Sequence, residues 1–96
     1  MRLTETQRRL IRAAGLRHFG VTPRLFGSRL DDDRRGGDID LFIPGRWSAV
    51  EAVSRRLQFC AEVKARLDDQ KIDVVVENPD APSAIQDHAK RHSQPV

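Results

Sequence analysis

Two aspartates one residue apart, Asp38 and Asp40, and a third, Asp73, set in an otherwise apolar run, are the residues whose types and spacing could do chemistry in this chain. On a strand, alternate side chains share a face, which puts Asp38 and Asp40 roughly 6.5–7 Å apart at Cα, able to converge on one hard cation. A carboxylate on a half-buried strand raises its own pKa by desolvation unless cations or donors offset that cost. Mg²⁺ takes oxygen ligands at about 2.1 Å, typically one or two carboxylates completed by phosphate oxygens and water. If the strand of Asp73, read here as a central one, lies beside that of Asp38 and Asp40, a third oxygen donor joins the pair. Three carboxylates can hold two divalent ions roughly 3.5–4 Å apart, the clamp used for in-line phosphoryl and nucleotidyl displacement.

Gly27-Ser28 supplies the complementary half. Glycine lets backbone approach a phosphate closely, N–H groups opening a helical turn face an anion favourably, and Ser28 adds a hydroxyl donor. Ser28 reads as the N-cap of a short turn over Arg29, Leu30 and Asp31. Nine residues, 29 to 37, separate it from Asp38. Two other readings compete. Asp31-x-Asp33-x-Arg35-Gly36 begins like a calcium-binding loop, but its fifth position is Arg35 and its twelfth Phe42, where ligands are required. Alternatively, Asp38 and Asp40 solvate a strand end and Asp73 pairs with an arginine.

The elements that must position these residues follow from periodicity. Thr4 and Gln7 have capping-box spacing ahead of Leu10, Ile11, Ala14 and Phe19, which predicts a helix over 5–19 stopped by Gly20. Gly15 weakens it by about 1 kcal/mol relative to alanine. Its arginines Arg8, Arg9, Arg12 and Arg17 are expected toward solvent. Residues 21–26 read as a short strand that Pro23 confines to a beginning or an edge. Residues 31–37 form a polar loop holding Arg34, Arg35 and Gly36-Gly37. Residues 38–43 alternate, with Ile39, Leu41 and Ile43 on one face and Asp38, Asp40 and Phe42 on the other, ended by Pro44-Gly45. Ser48 and Glu51 cap a second long helix over about 49–68, its stripe Val50, Val53, Leu57, Cys60 and Leu67 expected to cover the sheet, with Trp47 packed at its entry. Residues 72–76 form the most apolar strand, and 83–92 a closing helix. The order predicts an α/β (α+β) domain over 1–96, with a single small mixed sheet of about three to four strands flanked by helices.

Ninety-six residues suit one small domain, and 39% hydrophobic against 32% charged residues exclude a disordered chain. The net charge of +3, mostly from arginine, favours nucleotides, nucleic acid or an acidic protein partner, or simply gives a solvated surface. One cysteine, Cys60, excludes an internal disulfide. No apolar run approaches the roughly 20 residues that cross a bilayer and the N-terminus lacks a signal-peptide core, so a cytoplasmic protein without membrane contact is expected.

Phe26-Gly27-Ser28, then Gly37-Asp38-Ile39-Asp40-Leu41, then Lys71-Ile72-Asp73-Val74-Val75 resembles the minimal nucleotidyltransferase (MNT) family of the DNA polymerase β-like superfamily. Members often carry a small residue, Arg and Gly after the serine and Ser before the first acid; this chain has Arg29-Leu30-Asp31 and Gly37. The resemblance implies a polymerase β-like nucleotidyltransferase fold in which Gly27 and Ser28 contact the triphosphate. Asp38, Asp40 and Asp73 would be the catalytic residues and the ligands of two Mg²⁺ ions, with Asp73 also orienting or deprotonating the acceptor hydroxyl. It further implies ATP as substrate and transfer of AMP to a tyrosine of a helical HEPN-type toxin, of which this chain would be the antitoxin. Nucleic acid is not required, and a homo- or hetero-oligomer is compatible. The chain has no tyrosine of its own, which directs such chemistry outward. Masking of the partner by contact alone, or transfer to a nucleic-acid or small-molecule hydroxyl, are the alternatives.

Overall fold

The computed structural model describes residues 1–31, 33, 37–67 and 70–96; what the sequence leads one to expect of Asp32, Arg34, Arg35, Gly36, Asp68 and Asp69 lies outside the described residues. Helix α1 spans Glu5–Phe19. Its capping box forms as the spacing predicts: Gln7 N donates to Thr4 Oγ1 at 3.0 Å and Thr4 N to Gln7 Oε1 at 2.8 Å. Gly20 closes the helix at φ 72°, a left-handed conformation that glycine adopts without penalty. Gly15 has a positive reason to be small, because a Cβ there would overlap the ring of Pro23. The helix propensity that glycine forfeits is exchanged for close approach of α1 to the strand that follows.

That strand, β1 (Arg24–Phe26), runs into a single 3-10 turn, Gly27–Leu30. Then come β2 (Ile39–Ile43), α2 (Ala49–Arg66), β3 (Ile72–Val76), α3 (Ala84–Arg91) and β4 (Gln94–Pro95). The four strands make one mixed sheet in the order β3-β2-β1-β4, with β1 antiparallel to both neighbours and β2 parallel to β3 across the α2 crossover. Three helices flank it, giving the small mixed α/β architecture that the element order predicts. β4 is too short for periodicity to signal; Val96 N donates to the Pro23 carbonyl beside it.

The strands' alternation divides the molecule. Ile39, Leu41 and Ile43 of β2, with Leu25 and Ile72, meet Ile11, Ala14 and Phe19 of α1 and Phe59 and Val63 of α2 in the main core. On the opposite face Phe42 and Phe26 pack beneath Ala89 of α3. Ser48 and Ser83 cap α2 and α3, each accepting from the N–H three residues on. Trp47 packs at the entry of α2 as expected, edge-on to Phe19 with ring centroids 5.5 Å apart and under the Arg55 guanidinium.

Four expectations are corrected. α2 does not present Val50, Val53 and Leu57 to the sheet; they are 80%, 53% and 61% exposed, and Phe59, Val63 and the following Leu67 are buried instead. The apolar positions of α2 are wider than one stripe, and the bulkier Phe59 decides which arc faces the sheet. β3 is an edge strand, not a central one, which leaves Asp73 exposed. Ser28 lies inside its turn and caps nothing, Phe26 holding the cap position without a side-chain bond. Arg12 of α1 does not merely face solvent, since its guanidinium donates to the main-chain oxygen of Val96. Among the described residues no helix is long and apolar enough to cross a membrane.

Candidate functional site

The parallel register of β2 on β3 sets Asp40 directly opposite Asp73. Both point to the face that α1 and α2 leave uncovered, because Ile39, Leu41 and Ile72 occupy the other. The two carboxyls are close enough for each to act on the other. Burial pushes the Asp40 carboxyl above its ordinary value, and the negative charges of Asp73 and Asp38 push it further; Lys71 opposes them weakly. Asp38, next to the start of β2, is the outer member. Its carboxylate lies 3.6 Å from Lys71 Nζ, both side chains largely solvated. The structure therefore brings Asp40 and Asp73 together and holds Asp38 in their field but turned to a lysine. Among the described residues no three acid, histidine or cysteine side chains stand ready-made as a metal-holding group.

The donor set nonetheless suits a hard divalent cation. Mg²⁺ needs one or two carboxylates with phosphate oxygens and water completing the shell, and the Asp40–Asp73 pair supplies the two. A cation would relieve the crowding that raises the Asp40 carboxyl, and the Asp38–Lys71 ion pair is a solvated one.

Gly27 joins the turn to this pair. Its φ is 77°, and a Cβ there would overlap Asp40 Oδ2, so backbone and carboxylate touch because the residue is glycine. Gly37 makes the matching adjustment. At φ 89° it leaves space for Ser28 Oγ where a Cβ would stand, a physical reason for glycine just before the first acid. One 3-10 turn carries little aligned dipole, so what it offers a phosphate is close backbone approach and the Ser28 hydroxyl.

Two arginines hold that turn. Arg2 donates from Nη2 to the Ser28 carbonyl and from Nε to that of Asp31, both at 2.9 Å. Arg29 donates to the carbonyls of Arg2 and Gly37, each at 3.1 Å, and to Gln70 Oε1 at 2.9 Å. The arginine after the serine is thus a brace for the loop ends, and Asp31 Oδ1 accepts from Asp33 N in the same stretch. Sequence reasoning missed Arg2, Lys71, His88 and His92. Lys71, adjoining β3, had a legible signal in its place two residues before Asp73; Arg2 and the two histidines reach the turn only through tertiary contacts. Trp47, which a sequence might offer as a stacking residue, packs instead on the α1–α2 side of the sheet.

No protein-family model, curated protein or solved structure gives a significant match to this chain.

Proposed function

We propose that the chain is a Mg²⁺-dependent nucleotidyltransferase that transfers AMP from ATP to a tyrosine hydroxyl of a partner, a HEPN-type toxin in the cytoplasm, and so acts as its antitoxin. The observation that carries this reading is the Asp40–Asp73 pair, in register on adjacent strands and in contact with the glycine that opens the serine turn. Two adjacent acids with a raised carboxyl, on a face left open beside them, are what a site that binds a cation would hold. The sequence order of turn, acid pair and distal acid, similar to that of minimal nucleotidyltransferases, supports it independently.

Asp40 and Asp73 would hold the metal, with Asp38 joining once it leaves Lys71. When bound, Mg²⁺ supplies Lewis-acid polarisation of the reacting phosphate and charge neutralisation. Gly27 admits the phosphates close to the main chain, and the Ser28 hydroxyl donates to a phosphate oxygen. Asp73, the more exposed of the pair, accepts the proton of the acceptor hydroxyl. That oxygen bonds to the α-phosphorus, the bond from the α-phosphorus to the bridging oxygen breaks, and pyrophosphate leaves.

Incubation with α-labelled ATP, Mg²⁺ and the partner toxin is expected to label the toxin, with mass spectrometry locating AMP on tyrosine. Transfer that persists in Asp40→Ala plus Asp73→Ala sinks the reading, and label recovered on a nucleic acid or small molecule reassigns the acceptor. A second reading, masking of the partner by contact alone, is favoured by the exposed row Val50, Val53 and Leu57 on α2. Neutralisation that survives Asp38→Asn, Asp40→Asn and Asp73→Asn together would establish it.

A further inference from the structure

Helix α3 closes the open face over Phe26 and Phe42 through Ala89, and this seat brings two imidazoles to the serine turn. His88 and His92 lie one helical turn apart, with ring centroids 4.9 Å apart and planes tilted by 40°. His88 also meets the buried Phe26 ring edge-on at 6.4 Å, which fixes it from below. Both histidines are exposed, so ring surface remains open to a ligand. With Gly27, Ser28, Leu30 and Asp31 they line a cleft of about 460 Å³.

The lining selects the ligand's chemistry. The volume suits a nucleoside and is far larger than a phosphate needs. Paired aromatic rings opposite Leu30 accept a flat heteroaromatic ring. Asp31, whose Oδ1 accepts from Asp33 N, brings a carboxylate that can also receive hydroxyl or amino hydrogens. Gly27 borders this cleft and also touches Asp40, so the cleft adjoins the acid pair.

We infer that the cleft between the Gly27–Leu30 turn and α3 is the nucleoside subsite. The base stacks on the His88–His92 pair, and Asp31 accepts from a ribose hydroxyl or an exocyclic amine. This rests on the nucleotidyltransferase reading for the identity of the ligand, but adenosine binding needs neither Mg²⁺ nor turnover, so the two can fail separately.

Adenosine titrated into the full chain, followed by the ring C–H resonances of the histidines, tests it. Saturable shifts of His88 and His92 are expected, whether or not transfer activity is found. His92→Ala should weaken adenosine binding roughly 10-fold, and His92→Phe, which keeps an aromatic face, should restore most of it. His92 is exposed and its main-chain N–H closes the end of α3, which a substitution of the side chain leaves in place, and an unchanged unfolding midpoint verifies that these variants fold. Inorganic pyrophosphate should leave bound adenosine in place. Unmoved histidine signals, wild-type affinity in His92→Ala, or displacement of adenosine by pyrophosphate would each overturn the subsite, and transfer activity in the same sample would show that the nucleotidyltransferase reading stands without it.

Discussion

The two faces of the sheet are built from the same strands and obey opposite rules. On the α1–α2 face Leu25, Ile39, Leu41 and Ile43 are fully buried against Ile11, Ala14 and Phe59, a core with no buried polar or charged residue among the described residues. One residue along each strand, the other face carries Asp40, Asp73, Phe42 and Phe26, half covered by the short α3 and half open. A period-two strand thus lets one face supply most of the apolar burial while the next residue tolerates groups that oppose folding. What differs is what each face does when perturbed, and substitutions can separate the two.

The largest effect belongs to the α1–α2 face. Phe59→Ala removes a fully buried ring between α1 and the sheet and should cost about 3–5 kcal/mol of stability, read as a lower denaturation midpoint. Activity per folded molecule should be little changed, because no group near the acid pair is altered. If activity falls at full folding, the two faces are coupled more tightly than the packing indicates.

Next comes the junction. Gly27→Ala combines a φ of 77° with overlap on Asp40 Oδ2, and should cost about 1–3 kcal/mol while abolishing transfer. By contrast Gly20→Ala, at φ 72° with nothing close enough to clash, carries the backbone penalty alone and should leave transfer intact.

Two acids of the open face should show opposite pH dependence. Asp40 has a folded-state value raised above the ordinary 3.8 by burial and by its acidic neighbours. The folded protein therefore holds that proton more tightly than the unfolded chain. Its contribution is fully present below the unfolded value and is lost as pH rises through the folded one. Asp40→Asn should accordingly unfold at a higher temperature than the parent at neutral pH without Mg²⁺, the difference fading below about pH 4. Glu77, which follows β3, is held below its ordinary 4.5 chiefly by the Gly45 N–H, with Lys90 adding to it against a burial cost. Its stabilisation is present above 4.5 and is lost as pH falls through the lower folded value. Glu77→Gln should lose about 1 kcal/mol or less, and only above that window, by the same thermal measurement. Equal pH profiles for the two variants would erase the distinction between an acid that serves the site and one that serves the fold.

Much of this division is legible in the chain. The alternation of residues 38–43 assigns Ile39, Leu41 and Ile43 to one face and the acids to the other, and capping signals at Thr4 and Ser48 place the two long helices. Local chemistry determines these features, so a local reading finds them. What escaped depends on non-local competition. Which arc of α2 meets the sheet was settled by Phe59 over Val50, Val53 and Leu57. β3 falls at the edge because β4 joins β1 at the opposite side of the sheet. Arg2 and Arg29 bracing one turn, and His88 and His92 reaching it from α3, involve contacts between residues far apart in the chain. In the site, the acids and the glycine turn were readable, whereas the Lys71–Asp38 pairing and the glycine at 37 acquire their meaning only from geometry.

The claim at the centre of this account is that the open face binds a metal–nucleotide complex through Asp40 and Asp73. Calorimetric titration of ATP with Mg²⁺ into the wild type and into Asp40→Asn/Asp73→Asn tests it without needing the partner. Removing two crowded charges leaves that variant's fold at least as stable at neutral pH, so a loss of binding reports the site. Saturable, Mg²⁺-dependent binding in the wild type, weakened at least roughly 10-fold in the variant, is the predicted result, a loss of about 1.4 kcal/mol or more. Equal binding by both proteins, or binding indifferent to Mg²⁺, would contradict it.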